Sequence, residues 1–212
     1  MLNNKFLKST VLIVGVSFMV LGCGSSTSAE TVGYKGKLVD SAVQGVDWIC
    51  GNPPNENKGK TLVDGGFGTC PYGSPVTFSI GGVIIGGLTS TIDYIFSPQD
   101  IVGVSRNVTD NVEVNNIASL LLSLDADGNP SNGITITSTI ATSFGNNAGV
   151  SHVSQMDQAS IETVVSEVAQ DTGVKLVFVD ADEASAHLAQ TQDDILDGTI
   201  SSPDQPTDES TN

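Results

Sequence analysis

The hydrophobic period changes once along this chain, near Ser97, and that change limits the fold more than any other feature. Before it, Tyr34–Val39, Val46–Cys50, Val76–Ile80 and Val83–Ile85 are β-rich stretches separated by Gly, Pro and Asn. Gly81-Gly82 and Gly86-Gly87 mark turns or bulges flanking the last of them. Asn52-Pro53-Pro54-Asn55-Glu56-Asn57 can be neither helix nor central strand, and Asp64-Gly65-Gly66-Phe67 reads as a tight turn delivering Phe67 into the core. Ser97-Pro98-Gln99-Asp100 is a helix start, with Ser as N-cap, Pro at the first helical position and Asp in the first turn. Val114, Ile117, Ala118, Leu121 and Leu122 then give one apolar stripe on a helix of about twelve residues. Gln158–Gln170 repeats the pattern through Ile161, Val164, Val165 and Val168 and ends at Gly173. Ile134–Thr137 and Lys175–Val179 read as short strands, and Asp182–Thr191 as a last helix. Strands first and helices later predict an α+β fold. A small β-sandwich or barrel-like half (33–90) is succeeded by a mainly helical half with short strands (91–198), in one domain spanning 33–198.

The first 22 residues read as a secretory leader. Lys5 and Lys8 precede an apolar run from Val11 to Val20, too short to span a bilayer comfortably, and Gly22 supplies a small cleavage-site residue. Leu21-Gly22-Cys23 resembles the lipobox of bacterial lipoproteins. That resemblance implies cleavage before Cys23, a diacylglyceryl group on its sulfur and a lipidated first residue; ordinary secretion with a free thiol is the alternative. Each buried methylene is worth roughly 0.8 kcal/mol, so two or three acyl chains make a nearly permanent anchor. Gly24, where an Asp would hold such proteins at the inner membrane, implies the outer membrane, on either leaflet. Residues 23–32 are small and polar, a flexible tether between lipid and body.

Export to an oxidising compartment bears on the remaining cysteines. With Cys23 assigned to lipid, Cys50 and Cys70 form an even pair, and a disulfide between them is predicted. It would close a loop of about 20 residues and contribute roughly 3 kcal/mol in the chain-entropy model. A zinc site would need four ligands, and besides these thiols the chain offers His152 and His187.

Without the leader, 24 acids face 6 bases, a formal charge of −18. This excludes nucleic acid as a partner, since phosphate contacts need clustered Lys and Arg, and it opposes electrostatic docking on anionic lipid. Beyond Lys175 the chain carries no Lys or Arg and nine acids. Residues 199–212 are polar, acidic and Pro-containing, the composition of a disordered tail. Such a tail is either simply solvated or a collector of cations or partners.

A series of short blocks resembles a known family. Gly36-Lys37-Leu38-Val39-Asp40, Gly45-Val46-Asp47-Trp48-Ile49-Cys50, Gly65-Gly66-Phe67 and Val76-Thr77-Phe78-Ser79-Ile80-Gly81 look like a β domain of gammaproteobacterial surface and secreted lipoproteins. That domain is similar to the non-catalytic N-terminal region of accessory colonisation factor and secreted mucinase lipoproteins. Asn116 to Gly128, then Asn132-Gly133-Ile134, and Glu183-Ala184-Ser185-Ala186-His187-Leu188 are similar to the segment C-terminal to that β domain, so the blocks span roughly residues 34–190. The resemblance implies a module rather than a chemistry. In the mucinases hydrolysis belongs to a separate zinc domain with His-Glu-x-x-His, a motif this sequence lacks.

The most site-like segment runs from Asp125 to Gly133. Asp125, Asp127, Asn129 and Ser131 place oxygens at alternate positions, as Ca²⁺ prefers. Yet Pro130 stands where an EF-hand has its turn glycine, and Ile136 where it has the bidentate Glu. The other reading is a helix C-terminal loop whose Asp and Asn side chains hold backbone amides in Asx-turns. His187, beside Leu188, reads as a half-buried packing residue, and His152 as part of a polar loop after Ser151, which sits in no Gly-x-Ser-x-Gly elbow. Trp48 and Tyr72 flank the cysteine pair and either cover it or form an exposed sugar- or protein-docking surface. Together these readings give a lipid-anchored, non-enzymatic outer-membrane protein with a protein or glycan partner, acting in adhesion or colonisation or as an accessory subunit. The alternative is a carrier of a small ligand, calcium or glycan. An enzyme would require a histidine within reach of both a serine and a carboxylate.

Overall fold

The computed structural model describes residues 33–89 and 91–206; the leader, Cys23 and its tether, Ser90 and the last six residues lie outside them. The chain runs β1 (Gly33–Leu38), β2 (Val43–Gln44), β3 (Asp47–Asn52), β4 (Asn55–Lys60), β5 (Gly66–Pro71), β6 (Val76–Ile80), β7 (Val83–Leu88) and β8 (Ile95–Phe96). It continues with α1 (Pro98–Val102), α2 (Val112–Ser123), β9 (Ile134–Thr135), α3 (Ser138–Asn147), α4 (Gln158–Thr172) and α5 (Ala181–Leu196). The α+β order expected from the sequence is the order observed.

Two sheets make most of the first half, while β2 pairs in parallel with β9 of the second half. One sheet has the order β5-β1-β8, the other β4-β3-β6-β7. Cys50 on β3 and Cys70 on β5 form the disulfide, with Cα atoms 5.7 Å apart, so the covalent link joins one sheet to the other. Beside it the core is aromatic. Phe67 lies 5.7 Å from Trp48, 5.3 Å from Phe78 and 5.2 Å from Phe96 between ring centroids, two of the three edge-to-face. The turn before it does deliver Phe67 into this cluster: Asp64 accepts the Gly66 amide at 3.0 Å and Gly65 takes the left-handed conformation. Gly36 is where β1 crosses that cluster, and a Cβ there would collide with the rings of Phe67 and Phe96.

β4 was not foreseen. Its residues, Asn-Glu-Asn-Lys-Gly-Lys, carry no apolar signal, yet they pair with the whole of β3 from Asn52–Asn55 out to Asp47–Lys60. The Pro53-Pro54 turn leaves β4 at the sheet edge, where exposed charged side chains are tolerated. Between β6 and β7 the register shifts at Phe78/Ser79, the bulge anticipated from Gly86.

In the second half α2 is the central element. Every residue from Val114 to Ser123 is buried, not a single stripe, with α1, α4 and α5 packed against it. Two of its internal polar side chains hold neighbouring backbone. Asn116 donates to the Met156 carbonyl at 2.9 Å, and the Ser123 hydroxyl accepts the Val179 amide at 2.8 Å. That last bond corrects one sequence expectation. Lys175–Val179 is extended and has no strand partner: Leu176, Phe178 and Val179 pack on the core, while Lys175 and Val177 face solvent. Alternation along this segment reports helix surface on one side and water on the other.

α3 also escaped the sequence, because Ser, Thr, Asn and Gly dominate it. Tertiary contact compensates. Ile140, Ala141 and Phe144 are buried, and Gly145 lets the helix approach the β6–β7 turn so closely that a Cβ there would lie within the van der Waals sphere of the Gly81 carbonyl oxygen. α1 carries the expected cap: Ser97 Oγ accepts the Asp100 amide at 3.3 Å and Asp100 Oδ2 accepts the Ser97 amide at 2.9 Å. Arg106 locks this region with a fork on Asp93 (2.6 and 2.9 Å), a contact to Asp100 at 2.8 Å and a bond to the Ile95 carbonyl at 2.8 Å. After α5 the tail has no regular structure as far as it is described. The Gln205 side chain nevertheless grips both backbone groups of Lys35, accepting at 3.1 Å and donating at 3.0 Å.

Two stability measurements test this packing. Gly145→Ala, which gains about 0.5–1 kcal/mol in an open helix, is expected here to destabilise by about 1–2 kcal/mol in urea unfolding, because the added methyl has no room. The Cys50→Ala/Cys70→Ala double variant should lose about 3 kcal/mol in the same assay.

Candidate functional site

The described residue that physical chemistry explains least easily is Asp40. It ends the apolar run Leu38-Val39, is fully buried, and neither carboxylate oxygen has a hydrogen-bond partner. A lone carboxylate so placed costs several kcal/mol unless it binds a proton or faces a positive charge. Its neighbour across the fold is His187 on α5, whose Nε2 stands 3.6 Å from Asp40 Oδ1. Burial pushes the Asp40 carboxyl up to about 6, and the field of His187 opposes that rise.

Ser41 completes the cluster. It occupies the left-handed region (φ 61°) in the tight turn closed by the Val39–Ala42 bridge, a costly conformation for a residue other than glycine. The turn aims Ser41 Oγ at His187 Nε2, 3.2 Å away, and the Ser41 amide donates to Thr191 Oγ1 at 3.3 Å. Residues 40–41 and 187–191 are thus joined through four polar side chains, tying the β1–β2 turn to the C-terminal helix.

A serine, a histidine and a carboxylate now stand together, as an enzyme would require. The arrangement differs from a catalytic triad in one decisive respect. In a triad the serine meets one ring nitrogen and the carboxylate orients the other. Here Ser41 and Asp40 both face Nε2, so the carboxylate competes with the serine for the same nitrogen. The geometry suits a structural contact between the turn and the helix.

The Asp125–Gly133 loop satisfies its own backbone. Asp125 is buried, its Oδ1 accepting the Thr135 amide at 2.8 Å and its Oδ2 the Asn129 amide at 2.9 Å. Asp127 accepts the same Asn129 amide at 2.9 Å and the Asn132 side chain at 3.0 Å. Desolvation raises the Asp125 carboxyl above its usual range, while the Asn132 contact holds that of Asp127 below it. This is the Asx-turn bonding of a loop that holds its own backbone. Asn129 and Ser131 face solvent. Among the described residues no three His, Cys, Asp or Glu side chains come together in a manner that could hold a metal.

His152 is exposed, and its Nδ1 meets Ser151 Oγ at 2.9 Å within a turn held by Gln155. Trp48 and Tyr72 divide the two options open for them: Trp48 is buried and Tyr72 is half exposed. Sequence reasoning singled out His187 but not its partners Asp40 and Ser41. The available signal was an acid closing an otherwise apolar run. Cys23 lies outside the described residues. No family model matches this chain, and no curated protein and no solved structure matches it either.

Asp40 makes stability depend on pH. Its folded value, about 6, exceeds the unfolded value, 3.8, so the folded state binds the proton more tightly. The stability this gives is fully present below about pH 4 and is lost as pH rises through about 6, on the order of 3 kcal/mol in all. Urea unfolding across that range should show wild type losing stability relative to Asp40→Asn, which cannot titrate. Parallel profiles for the two proteins would show that Asp40 is not protonated in the folded state.

Proposed function

We propose that this is a lipid-anchored, non-enzymatic protein of the bacterial outer membrane, acting in adhesion or colonisation or as an accessory subunit of an envelope complex. The observation that carries the reading is Leu21-Gly22-Cys23 behind a short apolar leader. A disulfide in the body agrees with it, since such bonds persist in the oxidising compartments to which leaders deliver proteins. The non-enzymatic part rests on the serine–histidine–carboxylate cluster at Asp40, Ser41 and His187, whose atoms are arranged for a structural contact. A binding role fits a compact stapled module on a tether, which presents a surface to partners while remaining at the membrane.

Mass spectrometry of the protein purified from membranes tests the anchor. The expected N-terminal peptide begins at Cys23 and carries the mass of a diacylglyceryl group, which Cys23→Ser abolishes together with membrane retention. An unmodified thiol or an uncleaved leader would refute the reading. Cross-linking in intact envelopes tests the binding role, with reproducible recovery of a protein or glycan partner as the expected result.

A further inference from the structure

We propose that the outer face of the β5-β1-β8 sheet is a docking groove for an extended acidic peptide with a carboxamide side chain, and that residues 201–205 hold it shut as a built-in occupant. This rests on the binding role proposed above and names the class of partner.

The groove ends at an uncovered strand edge. On one side of β1, β8 meets the backbone from Lys37 onward: the Lys37 amide donates to the Tyr94 carbonyl at 3.0 Å and the Val39 amide to the Phe96 carbonyl at 2.9 Å. Lys35 lies two residues earlier on the same edge, and among the described residues no strand pairs with it there. Such an edge recruits an extended chain that supplies both a donor and an acceptor. Gln205 supplies both from one side chain. Its Oε1 accepts the Lys35 amide at 3.1 Å, and its Nε2 donates to the Lys35 carbonyl at 3.0 Å. The same Nε2 donates to the Pro203 carbonyl at 3.0 Å, so a turn within the tail presents the carboxamide to the edge.

The polar, acidic composition of this tail predicts disorder, yet Pro203 and Gln205 are half-buried where they meet the sheet. Lys37, Leu62, Asp64 and Gly68 face Ser201 to Asp204 across a cavity of about 430 Å³. That is the volume of a ligand site, so the tail leaves room beside itself. Leu62 remains largely exposed, an apolar contact that the small polar residues of the tail do not use. Charge selects an acidic ligand. Lys35 and Lys37 are two of the six bases beyond residue 22, and the tail brings Asp204, Asp208 and Glu209. Asp64 is the acid on the sheet side, and its Oδ1 is already engaged by the Gly66 amide. A segment of the same chemistry with a larger apolar side chain for Leu62 would displace the tail. Until it does, the high effective concentration of a tethered occupant keeps the groove closed.

The probe is the synthetic peptide of residues 199–212, titrated by calorimetry into the full chain. Wild type, with its groove occupied, is expected to bind the peptide at least about tenfold more weakly than Gln205→Ala, whose own tail is released. Hydrogen exchange at the Lys35 amide should be faster in that variant than in wild type. Replacing the glutamine by alanine in the peptide removes two hydrogen bonds and should weaken binding to Gln205→Ala about tenfold. Lys37→Glu, added to Gln205→Ala, is expected to weaken binding of the unaltered peptide. Equal binding by wild type and Gln205→Ala, no binding by either, or equal binding of a scrambled peptide overturns the proposal. The titration is made in detergent whatever the state of Cys23, so a negative result is separable from failure of the anchor or of the envelope cross-linking.

Discussion

Burial of α2 on every side is the constraint from which the helical half is built. A helix surrounded in this way cannot be half solvated, so its polar side chains need partners in the protein, and among them Asn115 Oδ1 lacks one. Asn116 and Ser123 meet this requirement by holding backbone groups of segments that have no ladder of their own. Loss of α2 would expose α1, α4 and α5 on their packed faces at once. The same geometry explains why residues 174–179 can run extended outside any sheet: the hydroxyl of Ser123 supplies a bond that a neighbouring strand would otherwise make.

The β half solves a different problem. Its strands are short and rich in glycine, and one edge strand has no apolar residue at all. Two devices compensate. The disulfide fixes one sheet to the other, and Phe67 inserts between Trp48, Phe78 and Phe96 where both sheets contribute rings. Glycines at close approaches, Gly36 beneath two aromatic rings and Gly81 beneath α3, allow the layers to meet. The two halves are then tied at the turn holding Asp40 and Ser41, where a buried carboxylate faces the C-terminal helix. A buried, unpartnered acid is a poor source of stability and a good source of pH sensitivity.

Much of the element order was legible because it depends on local rules. The Ser97-Pro98 cap, the Asp64–Phe67 turn, the period of α4 and its Gly173 stop are decided within a few residues, and all are present. The failures share a cause. β4 and α3 carry weak or contrary propensities, and long-range contacts with β3 and with the Gly81 turn hold them in place. Lys175–Val179 has the right alternation for a strand but no strand beside it. The cluster at Asp40 joins positions about 150 residues apart in sequence, a separation across which no local pattern carries information.

The sequence by itself determined the class of fold, the pairing of Cys50 with Cys70, the Ser97 cap of α1 and the Gly173 stop of α4, because composition, periodicity and thiol count are properties of the chain alone. Tertiary structure decided which sheets the disulfide joins, that α2 is buried all round, and that His187 meets Asp40 and Ser41 through a single nitrogen. Those outcomes depend on which surfaces come to face each other once apolar area is removed from water. That matching is a property of the packed whole, which no short window of residues encodes.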